Sequence, residues 1–273
     1  EAAWLVNDKM EKEENGMFSD YDLKAENVKE DVKPEAPKVD VSDIPDDLQD
    51  TVTETAETLK SDDLVTEAGK VEITPEKKEE AIKALGDKAQ GEEVTVVVTP
   101  YFNVTPKAAV TDGTTLQQMT FDIEPMYVLK ATTNPNDMTD ANTVQIGEAE
   151  NMEVTKAITL TTKLPDGFAP QVVKHVKSNG NTYFYIVKVE NGTATFEVLN
   201  GFSAFTFIAD DRTATIEFDK DVENKEYTVA NLGQDLPELK DSNQFKGWKI
   251  EDKTYTTLTE DLWNAIAGKT VTA

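Results

Sequence analysis

The sequence predicts a mainly β protein whose centre is a β-sandwich carrying one surface helix. Residues 93–104 and 119–132 are rich in β-branched and aromatic side chains, which favour strands. Asn-Gly pairs at 179–180, 191–192 and 200–201 follow one another at intervals of about ten residues. Asn-Gly tolerates the positive φ angles of tight hairpins, so we expect a four-stranded antiparallel meander in this region.

By composition, the chain divides into three predicted parts. Residues 1–50 hold 16 acidic residues against 6 lysines, include a short helical start around Trp4, and continue as a stretch rich in proline and charge. We expect them to form an N-terminal acidic arm or linker with a short helix. Residues 51–210 are predicted to form the sandwich domain, and residues 211–273 a small separate module.

The predicted helix of the sandwich domain covers residues 75–90. Thr74 can serve as its N-cap, Pro75 suits the first turn, and Gly91 suits the exit. A narrow apolar stripe runs along this helix, formed by Ile82, Leu85 and Ala89. A single narrow stripe is typical of a helix that lies on a surface.

The balance of charges limits the partners of the protein. The 273 residues include 53 Asp and Glu but only 27 Lys and Arg, a net charge of −26. Such a surface repels phosphate backbones and anionic lipid headgroups, so we expect neither nucleic acid nor a membrane surface as a partner. The lack of cysteine excludes cysteine-based metal sites and cysteine nucleophiles. No apolar run reaches the length of a membrane span, so no membrane insertion is expected within this chain.

His175 is the single histidine and therefore the first residue to consider for catalysis. General-base chemistry would need a nucleophile and an orienting carboxylate beside it, and no motif in the sequence supplies them. Strand alternation places His175 on the same side as Val173 and Lys177, which favours a position on the strand surface. Acidic residues are too numerous for one pair to stand out as a glycosidase site. We therefore expect a protein that is not an enzyme.

The loop of residues 134–142, NPNDMTDAN, is rich in oxygen ligands of the kind that calcium prefers. The candidate calcium ligands are Asn134, Asn136, Asp137 and Asp140. Their spacing differs from that of an EF-hand, and an Asx-rich turn between two strands explains the same residues. Calcium is thus the one cofactor that the sequence makes possible, and no other is expected.

Aromatic side chains are the remaining candidates for ligand binding. A glycan site needs exposed flat rings with polar neighbours, and the rings that could form one are Trp4, Tyr183, Tyr185 and Trp263. Tyr183 and Tyr185 share one face of a predicted strand, whereas Trp263 lies on a short helical stretch. A β-sandwich also needs such residues in its core, so both interpretations stay open.

Residues 213–273 carry a distinctive pattern around their middle. Residues 233–237 read G-x-x-L-P, and Phe245 and Trp248 bound an F-x-G-W stretch. The segment resembles the Listeria–Bacteroides repeat, also called the internalin-type B repeat. The resemblance implies a small β-grasp-like fold, a secreted or wall-attached bacterial protein, and a structural core position for Phe245 and Trp248.

Residues 158–208 resemble a segment of clostridial surface and secreted proteins. The shared features are LPDG at 164–167, His175 followed by a glycine at 180, and Phe196 followed by FSAF at 202–205. The resemblance implies an Ig-like sandwich. The predicted fold is therefore an Ig-like β-sandwich with one surface helix, followed by a small β-grasp-like repeat module and preceded by an extended N-terminal arm. Neither resemblance carries a catalytic site.

These observations favour a non-catalytic protein, secreted or on the cell surface of a Gram-positive bacterium, with an adhesive, structural or scaffolding role. The alternative is a carbohydrate-binding protein of a polysaccharide-utilisation system that uses exposed aromatic rings. The expected partners are other surface proteins, a second copy of the chain contacted through the N-terminal arm, or a glycan. Exposure of the four candidate rings distinguishes the two functions.

Overall fold

The computed structural model describes residues 24–89, 91–199, 201–219, 221–240 and 244–273, and these residues confirm the prediction of a mainly β protein. The helical start predicted around Trp4 lies outside them. The α-helices are α1 (Asp46–Thr58), α2 (Asp62–Ala68), α3 (Pro75–Leu85) and α4 (Glu260–Ile266). The strands are β1 (Lys29–Val32), β2 (Lys38–Val39), β3 (Thr95–Asp112), β4 (Thr115–Thr132), β5 (Thr143–Asn151), β6 (Ile158–Lys163), β7 (Val172–Val176), β8 (Thr182–Ile186), β9 (Lys188–Glu190), β10 (Thr193–Val198), β11 (Ala204–Ile208), β12 (Ala214–Glu217), β13 (Lys225–Tyr227), β14 (Trp248–Ile250), β15 (Lys253–Tyr255) and β16 (Thr270–Thr272). Within the described part of the chain, no helix combines the length and the apolar character that crossing a bilayer requires.

The chain forms two compact units, each assembled from separated stretches. Unit 1 contains the described residues up to Ala36 together with Asp62–Phe102 and Pro125–Thr155. Unit 2 contains Pro37–Ser61, Asn103–Glu124 and Lys156–Ala273. The sequence suggested consecutive parts with boundaries at 50 and 210. The long strands β3 and β4 each supply residues to both units. Composition, which changes along the chain, therefore does not reveal this interleaved arrangement.

In unit 1, β1 lies parallel to the first residues of β3, with Lys29 opposite Thr95. Strand β5 lies antiparallel to the last residues of β4. Helix α3 begins as predicted, since Thr74 Oγ1 accepts a hydrogen bond from a backbone N–H of the first turn at 3.3 Å. Gly86 then adopts a positive φ of 53°, so the α-helix ends at Leu85, and a 3-10 helix over Gly86–Ala89 continues the helical stretch almost to the predicted end at residue 90.

The stretch that composition indicated as a linker or extended arm is extended, but it belongs to the sheets. β1 pairs with β3 in unit 1, and β2 pairs with β3 in unit 2 through Lys38 and Val39. Helix α1 then begins at Asp46, within the predicted arm. Backbone N–H and C=O groups at the edge of β3 need partners, and this requirement outweighs the polar composition of the segment.

In unit 2, two sheets pack face to face over an aromatic core. One sheet has the order β2–β3–β4–β11–β7–β8, and the other has the order β6–β10–β9. Phe196 of β10 contacts Phe205 and Phe207 of β11, with ring centroids 6.3 Å and 5.4 Å apart. Phe121 of β4 adds an edge-to-face contact to Phe207 at 5.7 Å.

The predicted four-stranded meander is wrong, although two of its hairpins form. β7 pairs with β8, and β9 pairs with β10 across a turn in which Asn191 and Gly192 have φ values of 51° and 74°. However, β9 belongs to the second sheet, and β11 pairs with β7 and β4 rather than with β10. Turn residues specify local hairpins, whereas the burial of Phe205 and Phe207 between the sheets decides where β11 lies.

The C-terminal module, residues 211–273, belongs to unit 2. β12 pairs antiparallel with β13 and parallel with β16, α4 precedes β16, and β14 and β15 form a separate hairpin. The buried side chains of the module form one cluster that also includes Val172 and Ile208 of the sandwich. Phe184 packs against the same cluster, and a Cβ atom at Gly233 would lie 2.7 Å from its ring. The module and the sandwich therefore share one hydrophobic core.

Candidate functional site

His175 is fully buried between aromatic rings, so the prediction of a strand-surface position is wrong. Its ring stacks on Phe205 with centroids 4.3 Å apart and an interplanar angle of 15°. The other neighbours on this side are Tyr183 and Tyr185, at 6.1 Å and 5.8 Å. Alternation along β7 does not reveal that aromatic rings enclose His175 on this side of the strand.

The hydrogen bonds of His175 fix its tautomer. The Ser203 hydroxyl donates its only proton to Val176 O at 2.8 Å, so Ser203 Oγ accepts from His175 Nε2 at 2.7 Å. Nδ1 then carries no proton and accepts from the Tyr185 hydroxyl at 2.9 Å. Burial lowers the pKa of His175 to about 4, and the positive charge of Lys177 contributes to the same shift. A neutral imidazole held in this way stabilises the core.

The three candidate sugar-binding rings that lie within the described residues do not form one exposed face. Tyr185 and Trp263 are buried, with 7% and 3% of their surface exposed, and Tyr183 is half-buried beside His175. Trp4 lies outside the described residues. A stacked sugar needs an open ring face, and neither Tyr185 nor Trp263 offers one.

The F-x-G-W stretch lies in the core of the C-terminal module. Trp248 is 5% exposed, and its rings contact Phe218 at 4.8 Å and the half-buried Phe245 at 5.3 Å. Trp248 Nε1 donates to Pro237 O at 2.6 Å. Gly247 adopts a φ of 126°, and a Cβ atom there would lie 2.7 Å from a backbone oxygen. The glycine of the pattern thus allows this turn to approach the backbone of β15 at Tyr255 closely.

The oxygen-rich loop forms Asx turns. Asn134 Oδ1 accepts from Asn136 N at 3.2 Å, and Asn142 Nδ2 donates to Asp137 O at 2.8 Å. Asn142 Oδ1 also accepts from Thr139 N at 2.9 Å. No group of three or more His, Cys, Asp or Glu side chains in the described ranges is arranged to hold a metal ion. Calcium binding by Asn134, Asn136, Asp137 and Asp140 stays a prediction of the sequence.

Asp210 joins the sandwich to the C-terminal module. Its carboxylate accepts from the guanidinium of Arg212 at 3.0 Å and 2.8 Å and from Trp263 Nε1 at 3.0 Å. Its backbone exchanges two hydrogen bonds with the side chain of Gln171. Burial raises the pKa of Asp210, but the hydrogen bonds from Arg212 and Trp263 outweigh it and hold that pKa below its usual value.

Beside Asp210 lies an open polar cleft of about 750 Å³. Gln117, Gln118 and Asn264 line it, together with Glu260 and the buried Trp263. Glu260 also forms an ion pair with Lys174 of β7 at 2.5 Å, a second polar link between module and sandwich. The cleft therefore offers hydrogen-bonding groups but little open ring surface.

Replacing Asp210 with alanine is expected to loosen the C-terminal module, because the buried indole N–H of Trp263 loses its acceptor. Hydrogen bonds to a charged group contribute about 1.5–3 kcal/mol, and the part due to Arg212 is small because its guanidinium is largely exposed. We expect a loss of about 2 kcal/mol in the free energy of unfolding, measured by urea titration. Asp211→Ala, a neighbouring exposed carboxylate, is the control. Equal unfolding curves for the two variants would contradict the linking role of Asp210.

A groove of mixed polarity beside β8 was missed by sequence reasoning. Its volume is about 410 Å³, and it lies between β8 and residues 230–234 of the C-terminal module. Ile186 and Leu199 line it and are unusually exposed, at 66% and 59%. The uncharged run TYFYI at 182–186 was a signal of this feature, but its sequence alone does not show that the strand lies at the edge of a sheet.

Comparison of the chain with protein-family models, with curated proteins and with solved structures finds no match.

Proposed function

We propose that the protein is a non-catalytic, secreted or cell-surface modular protein of a Gram-positive bacterium, with an adhesive, structural or scaffolding role. The observation that carries this proposal is the continuous core between the sandwich and the C-terminal module. Val172, Phe184 and Ile208 of the sandwich pack into the cluster that contains Leu232 and Trp263 of the module. Modules joined by a shared core keep their relative position under load, as a structural protein requires.

Polar contacts at the same joint support the proposal. Asp210 binds Arg212 and Trp263, and Lys174 binds Glu260, so the module is held by hydrogen bonds as well as by packing. The resemblances of residues 158–208 and 213–273 to surface-protein segments point to the same class of protein.

The alternative, a carbohydrate-binding protein, is favoured by the polar cleft beside Asp210. Amides such as those of Gln117, Gln118 and Asn264 can donate to and accept from sugar hydroxyls. The rings that were expected to stack on a sugar give this alternative less support, since Tyr185 and Trp263 are buried. We therefore propose as the main partners other surface proteins, or a second copy of the chain contacted through the N-terminal arm.

The experiment is to locate the protein in the source bacterium and then to screen its ligands. Antibodies raised against the chain should detect it in the medium or on intact cells, where added protease should remove it. A glycan array probed with the same chain should give no specific signal. Retention inside the cell would overturn the proposed localisation. Specific glycan binding that Gln117→Ala abolishes, and Gln145→Ala does not, would favour the alternative.

A further inference from the structure

β8 is the edge of the unit 2 sheet, and its outer side carries apolar groups. Among the described strands, only β7 pairs with it. The run Thr182–Ile186 contains no charge, and Phe184 and Ile186 lie on the side that faces the groove. Natural edge strands usually carry charge or proline, which blocks pairing with another chain. An uncharged edge beside a groove that exposes apolar side chains such as Ile186 and Leu199 is the arrangement that accepts an added strand.

The charge around this edge differs from that of the rest of the chain. Residues 167–189 contain three lysines, Lys174, Lys177 and Lys188, and no acidic residue, whereas the whole chain has a net charge of −26. Two of these lysines are paired with Glu260 and Glu190. Two acidic copies repel each other, and this repulsion is weakest where the surface carries lysine and apolar side chains. The edge of β8 therefore suits an acidic, apolar segment.

Residues 1–23 have these properties by sequence. They contain seven acidic residues and two lysines, and residues 2–6, AAWLV, are uncharged. The five-residue run matches the five residues of β8 in length. Composition predicts a short helix around Trp4, and an added strand requires this run to be extended instead. Ala2, Trp4 and Val6 then share one side, so the apolar side chains can face the groove together. The segment of 23 residues can extend about 75 Å, which is enough to reach a neighbouring molecule.

We propose that residues 2–6 of one copy add as a strand to β8 of a second copy, with Trp4 in the groove between Ile186, Leu199 and Leu232. The inference rests on the proposed structural role, in which copies contact one another, and it names the surface that receives the N-terminal arm. The main-chain hydrogen bonds of β8 supply affinity, and the fit of the Trp4 indole supplies specificity. Since donor and acceptor surfaces differ, such contacts produce chains of copies or a reciprocal dimer.

The test is the molar mass of the full chain by light scattering, up to about 100 µM, where a complex with a Kd of about 1 µM is almost fully assembled. We expect a mass at least twice the 30.2 kDa of the monomer. Ile186→Lys should return the mass to that of the monomer, because a charge on the edge strand blocks pairing. Trp4→Asp should do the same. Val110→Lys is the matched control, because Val110 is also exposed, at 45%, but belongs to β3 and not to the edge strand β8.

Each outcome decides the proposal. Unchanged far-ultraviolet circular dichroism of Ile186→Lys shows that its fold is intact, as its 66% exposure leads us to expect. A full chain that is monomeric at all concentrations, or an Ile186→Lys chain that still associates, would overturn the inference. Loss of association in Ile186→Lys but not in Trp4→Asp would assign the edge to another occupant and equally overturn it. Surface localisation is measured separately, so a monomer on the cell surface would refute this inference and leave the proposed function standing.

Discussion

Trp248→Ala is expected to unfold the C-terminal module. The substitution removes a buried indole that contacts Phe218 and Phe245 and donates to Pro237 O. Truncation of a buried aromatic side chain costs about 3–5 kcal/mol, which is comparable with the whole stability of a small domain. Urea unfolding followed by tryptophan fluorescence should show the loss, because Trp263 remains in the variant and lies in the same core cluster.

Two further variants make the result specific. Trp248→Phe keeps an aromatic ring and loses only the hydrogen bond and part of the volume, so we expect a smaller loss, of about 1–2 kcal/mol. Lys249→Ala changes the exposed neighbour and should leave the urea midpoint unchanged. A Trp248→Ala chain that unfolds like the original and loses only a ligand would show that Trp248 is a binding residue.

Acidification is expected to destabilise the protein through His175 before most carboxylates titrate. The pKa of this imidazole is about 4 in the folded chain and about 6.5 when unfolded, so the unfolded chain takes up the proton first as the pH falls. The stability contributed by the neutral ring is complete above pH 6.5 and is lost between pH 6.5 and about 4. The total loss is about 3 kcal/mol, of which about 2 kcal/mol falls between pH 6.5 and 5.

Because the chain contains a single histidine, the titration of His175 can be followed directly. Its ring signals in an NMR titration need no assignment among several histidines and should not shift until the pH approaches 4 or the chain unfolds. In His175→Phe, the fall in urea midpoint between pH 7 and pH 5 should shrink markedly, although the variant is less stable because Ser203 and Tyr185 lose a partner. An imidazole that titrates near pH 6.5 in the folded chain would refute the buried, hydrogen-bonded arrangement.

Local chemistry made several features predictable. Thr74 and Pro75 identify the start of α3 because an N-cap and a first-turn proline act within one helical turn. Asn191 and Gly192 identify a hairpin because only residues that tolerate positive φ suit its turn. Trp248 was expected in a core from the F-x-G-W resemblance, and the structure places it there.

The candidate site was far less predictable. His175, Tyr185 and Ser203 are separated along the chain, and their hydrogen bonds exist only because β7, β8 and the start of β11 lie side by side. The link made by Asp210 similarly depends on Trp263, which lies 53 residues away. The exposure of Ile186 also depends on which strand ends the sheet, and no property of Thr182–Ile186 alone decides that.

The sequence by itself determined the strand-rich character, the acidic surface, the helix start and the hairpin turns. These depend on the properties of single residues or on interactions within a few residues of one another. The tertiary structure alone decided that β1 and β2 join β3, that β11 lies between β4 and β7, and that the C-terminal module shares its core with the sandwich. Pairing between distant segments is chosen by the burial of side chains on both partners, so its outcome depends on the whole chain rather than on any one stretch.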